Sequence, residues 1–155
     1  MRGPLSEHRI IEGLKQAEKI AKSSQSPYTK VGCVLLSSNG EVQAYGFNHP
    51  DCTVLRGFWD MDREYLRDYL VHAEIDALAN FGHYLERDNP SYPTVAVCTL
   101  MPCVSCLNSL ARFGIKQIYF KEKLDRDAKA MVVAEYKGIL MVHMSEEWMI
   151  MAEAP

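Results

Sequence analysis

The fold is decided by one stretch, which reads TVAVCTLMPCVSCLNSLARFGIKQIYF at residues 94–120. Its first six residues are β-branched or small, and they predict a buried strand over 94–99. An amphipathic pattern predicts a helix over 103–113, and Gly114 is placed to end that helix. Residues 115–120 then predict a second strand. A strand, a helix and a strand in this order predict two parallel strands joined by a helical crossover.

The segments on either side of this stretch add further elements. On the C-terminal side, we predict a helix over 126–136 closed by Gly138, a strand over 139–144, and a short tail helix within 145–155 that packs on the body or on a neighbouring subunit. On the N-terminal side, we predict a helix over 6–22, strands 31–36 and 42–47 joined by a turn at Asn39-Gly40, an irregular segment 48–62, a helix start within 63–70, and a helix over 72–81. The expected fold is therefore α/β: a five-stranded mixed sheet with helices on both faces.

Composition narrows the class of protein. The chain has 155 residues with 48% hydrophobic content, which predicts one compact domain over residues 1–155. Its formal net charge is -3, whereas a protein that binds long nucleic acid usually carries an excess of basic residues. A nucleic-acid partner is therefore disfavoured. The chain shows no apolar run of about 18 residues, so no membrane span is predicted.

The cysteines and the N-terminus bear on location. The chain has five cysteines, an odd number, and two of them form the pair Cys103-x-x-Cys106. In a reducing compartment such a pair indicates a metal or redox site rather than a disulfide framework. Residues 1–10 are polar and lack the apolar core of a secretion signal. We therefore expect a cytoplasmic protein.

Two short motifs carry the chemistry: His72-Ala73-Glu74, and Pro102 followed by Cys103 and Cys106. Both fall at the starts of predicted helices, where free backbone N–H groups and a partial positive charge favour thiolate over thiol. Two cysteines three positions apart on a first helical turn present their sulfurs to the same side. With His72 as a third ligand, they predict a Zn²⁺ site.

The ligand count indicates a catalytic rather than a structural metal. Three protein ligands leave one tetrahedral position open, and water there is acidified toward a pKa of about 7. Glu74 is near enough to that position to move a proton without being a ligand. Ordinary roles exist for each part: His72 as a core histidine, the cysteines as a structural or redox pair, and Glu74 as a charge at a helix start. The two motifs together favour the metal site.

His-x-Glu followed by Pro-Cys-x-x-Cys is the signature of zinc deaminases. Over residues 28–144 the chain resembles the cytidine and deoxycytidylate deaminase superfamily. The likeness rests on the two motifs and on Lys30-Val31-Gly32-Cys33-Val34, Gly46-Phe47-Asn48 and Phe113-Gly114-Ile115-Lys116. This resemblance implies the three-layer cytidine-deaminase-like fold and hydrolysis of the exocyclic amine of a cytosine-type base, with Glu74 as the catalytic proton carrier.

Within the superfamily the chain most resembles the deoxycytidylate (dCMP) deaminases. Met101 stands where deaminases of other bases tend to carry Glu, and the 23 residues between Asn48 and His72 resemble the dCMP deaminase insertion. The resemblance implies a small-molecule nucleotide substrate, dCMP or a modified cytosine nucleotide, and a homo-oligomer. It also implies that Asn48 binds the sugar hydroxyl and that the Ala73 backbone contacts the pyrimidine. For Asn48 the alternative is a turn residue that stabilises its own loop.

Several positions depart from the family pattern. His49 stands where the family usually has Gly, Asp76 where it has Asn, and Leu124 near a position that is often aromatic. These departures leave open the base and the phosphate contacts. Basic side chains are the candidate phosphate contacts, and the alternative is that they form a solvated basic face. They are Lys121, Lys123, Arg126, Lys129, Arg56 and Arg63.

Other residues with metal-binding side chains have ordinary explanations. His49, Asp51 and Cys52 could ligate a second metal, although solvated loop residues are the commoner case. Cys33 and Cys98 are expected to be small core residues.

Three functional alternatives to a nucleotide deaminase remain at this point. The first is a deaminase that acts on a nucleoside or a free base. The second is an enzyme that flips a base out of nucleic acid. The third is a zinc-binding deaminase-fold subunit without activity, against which the presence of Glu74 argues.

Overall fold

The computed structural model describes residues 5–50, 59, 69–82, 84–123 and 128–154. Within these residues the elements are, in chain order, α1 (Glu7–Ala21), β1 (Gly32–Ser37), β2 (Val42–Phe47), β3 (His49–Pro50), β4 (Leu70–Val71), α2 (Ala73–Phe81), β5 (Pro93–Leu100), α3 (Val104–Phe113), β6 (Gln117–Glu122), α4 (Ala128–Tyr136), β7 (Leu140–His143) and α5 (Glu146–Glu153). In this part of the chain no helix is both long and apolar enough to cross a membrane.

The central sheet has the strand order β2-β1-β5-β6-β7. β1 runs antiparallel to both β2 and β5, whereas β6 runs parallel to both β5 and β7. The two parallel pairs are joined through α3 and α4, because β-strands that run the same way need a long crossover. The prediction of a five-stranded mixed sheet is confirmed.

Helices cover both faces of this sheet, as predicted. Side chains alternate along a strand, so Cys33 and Leu35 of β1 lie in one core cluster with residues of α2, α3 and α4. Val34 and Leu36 lie in the other core cluster with Ile10 of α1. Trp148 and Met149 of α5 pack against this second cluster, so the tail helix lies on the body of its own chain. The result is three layers around two apolar interiors.

Local sequence explains where the helices begin and end. Ser6 is the N-cap of α1, and its side chain accepts a hydrogen bond from the backbone N–H of Arg9. Such a bond satisfies one of the free donors at a helix start. Gly114 ends α3 in the left-handed region at φ 109°, which glycine adopts without steric cost.

One glycine sets how closely α2 approaches the sheet. A Cβ on Gly46 of β2 would lie 2.3 Å from the backbone oxygen of Ala73 and 2.3 Å from the backbone nitrogen of Ala77. Only a residue without a side chain fits between strand and helix there. Gly46 therefore allows the first turn of α2, with its functional residues, to pack directly against β2.

The structure corrects the predicted elements in a few places. The segment 48–62, predicted to be irregular, contains β3 near its start, and β3 pairs antiparallel with β4. Of the helix start predicted within 63–70, residues 69 and 70 are described: Tyr69 is helical and Leu70 lies in β4. Residues 51–58, 60–68 and 124–127 lie outside the described part of the chain, and so do Arg56, Arg63, Leu124 and Arg126. β6 begins and ends two residues later than predicted, because its pairing with β5 starts at Gln117 and Glu122 still pairs with Leu100.

Candidate metal and catalytic site

The two motifs occupy equivalent places in the fold. β4 leads into His72, which is the N-cap of α2, and β5 leads toward Cys103, which is the N-cap of α3. Both caps have extended backbone angles, so each side chain projects beyond the first turn of its helix. The Cys103 sulfur accepts a hydrogen bond from the backbone N–H of Cys106 at 3.5 Å.

Three side chains meet at these helix starts. The Nδ1 atom of His72 lies 3.2 Å from the Cys106 sulfur and 3.7 Å from the Cys103 sulfur. The three ligand atoms lie within 4.8 Å of one another. The structure thus brings together all three metal ligands that the sequence predicts.

The separations suit a zinc ion. Zinc binds sulfur at about 2.3 Å and nitrogen at about 2.0–2.1 Å. At tetrahedral angles, a sulfur and a nitrogen bound to the same zinc ion lie about 3.6 Å apart. The two nitrogen-to-sulfur distances, 3.2 and 3.7 Å, bracket this value. A nitrogen and two sulfurs are also the donor types that zinc prefers. The group is therefore compatible with zinc binding, and among the described residues it holds three ligands.

The two cysteines differ in the direction in which their pKa values are shifted. The pKa of Cys103 is lowered to about 4, first because Cys106 hydrogen bonds to its sulfur, and also through His72. The pKa of Cys106 is raised, first by the same hydrogen bond, which retains its proton, and then by burial. One thiolate is therefore already formed at neutral pH, and a dication would favour the second.

Glu74 lies beside this cluster on the first turn of α2. Its side chain is buried, with 3% of the residue exposed, and burial raises its pKa above the usual value. A side-chain hydrogen bond with Cys106 and the charge of His72 oppose that rise. A carboxylate whose charge is poorly solvated is a stronger proton acceptor than one in water. Glu74 is thus suited to carry protons at the open side of the cluster.

Asn48 is buried, and its amide group is engaged with the backbone on the approach to β1. Its Oδ1 accepts from the N–H of Val31 at 2.9 Å, and its Nδ2 donates to the carbonyl of Thr29 at 2.8 Å. These bonds reach the segment before β1 rather than the loop of Asn48 itself, and each amide atom keeps capacity for a second bond. The sugar contact implied for Asn48 stays a prediction, as does the pyrimidine contact of the buried Ala73.

The remaining candidates do not join the cluster. Lys121 forms an ion pair with Glu18 of α1 at 3.0 Å, and Lys123 is exposed. His49 bonds to Asp76, while Asp51 and Cys52 lie outside the described residues. Cys33 and Cys98 are fully buried partners across β1 and β5, which confirms their prediction as core residues. Sequence reasoning missed the contact between His49 and Asp76, because the two positions are 27 residues apart and belong to different elements.

A mixed sheet between two helical layers, with metal-binding side chains at the starts of two adjacent helices, defines the class as a zinc-binding deaminase-type domain. The family model described as "Cytidine and deoxycytidylate deaminase zinc-binding region" matches residues 8–122. The chain belongs to this family.

Individual relatives are more distant. A Caenorhabditis elegans protein described as a probable deoxycytidylate deaminase is 29% identical over 127 residues, which cover 79% of this chain and 61% of the relative. A Drosophila melanogaster protein with the same description is 28% identical over 111 residues, which cover 64% of this chain and 52% of the relative. The chain thus spans between half and two thirds of the length of these relatives.

The dCMP deaminase of the cyanophage S-TIM5 is similar in structure. Its apo crystal structure matches with a TM-score of 0.68 and 22% identity, over 88% of this chain and 98% of that chain. The complex of the same enzyme with dCMP and dUMP matches with a TM-score of 0.65 and 22% identity, over 83% of this chain and 90% of that chain. These likenesses establish the cytidine-deaminase-like fold of this chain.

Proposed function

We propose that this chain is a zinc-dependent hydrolase that converts a cytosine nucleotide, dCMP, to dUMP and ammonia. The observation that carries the proposal is the buried Glu74 beside the group formed by His72, Cys103 and Cys106. The proposal is supported by the family, by the relatives described as deoxycytidylate deaminases, and by the S-TIM5 enzyme, which was crystallised with dCMP and dUMP.

The proposed ligands are His72, Cys103 and Cys106, and the proposed proton carrier is Glu74. Zinc, when bound, supplies Lewis acidity at the open corner of the ligand group. Glu74 accepts a proton from the attacking water, whose oxygen forms a bond to C4 of the cytosine ring. Glu74 delivers this proton to the ring nitrogen, takes a second proton from the hydroxyl now on C4 and delivers it to the amine. Ammonia leaves as the bond between C4 and the amine breaks, and the C4 oxygen becomes a carbonyl. The raised pKa of Glu74 suits both halves of this transfer.

Asn48 and Ala73 are the proposed substrate contacts. Both are buried. Ala73 directly follows His72, and Asn48 directly precedes His49, which pairs with Val71 just before His72. The Asn48 amide is held in place by its two backbone bonds, so a further bond to a sugar hydroxyl would cost little ordering entropy. The formal charge of -3 favours a small nucleotide over a polynucleotide.

We also propose that residues 1–155 form one domain, that the protein assembles as a homo-oligomer, and that it is cytoplasmic. The two shared core clusters support the first statement. The thiols of Cys33, Cys98, Cys103 and Cys106 are free, which suits a reducing compartment.

The test is a substrate panel with one variant. Zinc-loaded protein is assayed for ammonia release from dCMP, CMP, deoxycytidine, cytosine and a cytosine-containing oligonucleotide, with dCMP expected to react fastest. Glu74→Gln should lower kcat on dCMP by about 10²–10⁴-fold while zinc stays bound. Glu12→Gln on the exposed side of α1 is the matched control and should be fully active. No release from any substrate, or near-normal turnover by Glu74→Gln, would contradict the proposal.

A further inference from the structure

His49 and Asp76 form a close side-chain pair that the proposed chemistry does not use. The Nε2 atom of His49 lies 2.7 Å from Oδ1 of Asp76, and its Nδ1 lies 2.7 Å from the carbonyl oxygen of Pro50. A carbonyl oxygen only accepts, so Nδ1 is a donor. The second oxygen of Asp76 accepts from the backbone N–H of Phe47 at 3.1 Å. Every polar atom of the pair is therefore directed by a neighbour.

The pair spans the place where α2 begins. The backbone of His49 pairs with Val71, which directly precedes His72, while its ring reaches Asp76 on the first turn beyond His72. The N–H of Asp76 also donates to the carbonyl of His72 at 2.9 Å, as the first hydrogen bond of the helix. One residue, His49, thus holds the chain on both sides of the helix start.

His49 also directly follows Asn48 in the sequence. The Asn48 amide is bonded to Thr29 and Val31 on the approach to β1, so Asn48 is fixed to that part of the sheet. Its neighbour His49 is fixed to α2 instead. The dipeptide therefore acts as a brace between the approach to β1 and the first turn of α2, where Ala73 and Glu74 lie.

We propose that His49 and Asp76 are positioning residues that set the spacing between Asn48 and the first turn of α2, and so seat the nucleotide against Glu74. The proposal rests on the proposed function, since it assumes a substrate held between these elements. Neither residue belongs to the ligand group formed by His72, Cys103 and Cys106. An error of about 1 Å in seating a substrate can cost about a hundredfold in rate, so a brace of this kind has a measurable kinetic effect.

A merely structural pair would behave differently. The side chain of His49 is 34% exposed and that of Asp76 is 14% exposed, so solvent still reaches the histidine and weakens the contribution of the pair to folding stability. Loss of the pair should therefore change the kinetics more than the melting temperature. The effects of the two substitutions should also be coupled, because the bond between Nε2 of His49 and Oδ1 of Asp76 is lost in either variant.

The experiment is a double-mutant cycle on the zinc-loaded protein. His49→Ala, Asp76→Ala and the double variant are compared for kcat and KM on dCMP, for the dissociation constant of dUMP by calorimetry, and for zinc content and melting temperature. We expect each single variant to lower kcat/KM by about tenfold, chiefly through KM, and to weaken dUMP binding similarly. The double variant should be no worse than either single one, and zinc content should stay at one ion.

Conservative variants distinguish a loss of the positioning role from general damage to the fold. Asp76→Asn should keep kcat/KM within about threefold of wild type. Its amide oxygen can still accept from Phe47, and its NH₂ can donate to Nε2 of a His49 ring that carries its proton on Nδ1 alone. If His49→Ala loses zinc or unfolds, His49→Gln takes its place in the cycle. Glu12→Ala, which removes the exposed pair of Glu12 and Lys15 on α1, is the control and should leave all values unchanged.

The outcomes are distinct. Single effects that multiply in the double variant, or unchanged kinetics alongside a lowered melting temperature, would overturn the positioning role alone. A wild-type protein that neither turns over dCMP nor binds dUMP would overturn the proposed function, and this inference with it.

Discussion

Replacement of Gly46 by alanine tests how the sheet positions the site. The added Cβ would lie 2.3 Å from the Ala73 oxygen and the Ala77 nitrogen, whereas such contacts essentially never fall below 3.0 Å. Both contact atoms belong to the backbone of α2, so no side chain can rotate away. The first turn of α2, which carries Glu74, must move by about 0.7 Å or more to relieve the contact.

Two effects should follow from this displacement. Overpacking of this kind costs about 1–3 kcal/mol of folding stability, which is a decrease in Tm of about 2–12 °C for a chain of this size. A shift approaching 1 Å between Glu74 and a substrate held by Asn48 should lower kcat/KM by about 10- to 100-fold. The assay is steady-state deamination of dCMP by zinc-loaded Gly46→Ala, together with calorimetric unfolding.

Gly32→Ala is the matched control. Its Cβ would lie 2.0 Å from the Ala17 oxygen of α1, so it overpacks the helix on the opposite face of the sheet. It should lower Tm by a similar amount, with a much smaller effect on the kcat of the folded, zinc-loaded fraction. Wild-type kcat/KM and Tm in Gly46→Ala would refute the reasoning that α2 is held at its position by close packing on β2.

Three further predictions concern the metal and the helix ends. Cys106→Ala should lose zinc on dialysis, as measured by metal analysis. Cys33 is a core cysteine outside the ligand group, so Cys33→Ala should retain zinc. Zinc retained by Cys106→Ala would contradict the ligand assignment. Zinc binding at pH 7 should release about one proton, from Cys106, because the pKa of Cys103 is already lowered to about 4 and that of Cys106 is raised. The zinc-bound form needs both thiolates, so the apparent affinity for zinc should fall about tenfold for each unit of decreasing pH. Calorimetry in buffers of different ionisation enthalpy measures the proton release, and a finding of no release would contradict the prediction. Ser6→Ala should lower stability by about 1 kcal/mol through loss of the N-cap of α1, with activity unchanged, and an unchanged Tm would show that the cap contributes nothing.

The elements that sequence predicts well are those with a strong local cause. α1 and α3 have an apolar stripe, an N-cap and a defined end, and each was predicted to within one residue of its observed bounds. The zinc ligand group was also predictable, because the spacing of Cys103 and Cys106 carries chemical meaning on its own. Local periodicity and motif spacing therefore predict the mixed sheet with its helical crossovers and the group that includes His72.

What sequence did not predict depends on contacts between distant segments. β3 and β4 are two residues long each, too short to show the alternation by which strands are recognised. The buried amide of Asn48 and the bond between His49 and Asp76 depend on how loops meet α2, and no local pattern encodes that meeting. Resemblance even obscured the pair, because it marked His49 and Asp76 as separate departures from a family pattern.

The most direct test of the account is X-ray absorption at the zinc edge on the purified protein, with metal stoichiometry measured on the same sample. One zinc per chain should show two sulfur neighbours at about 2.3 Å and two nitrogen or oxygen neighbours at about 2.0–2.1 Å, one of them exchangeable with solvent. Four protein ligands that fill the coordination sphere, or a protein that binds no zinc, would contradict it.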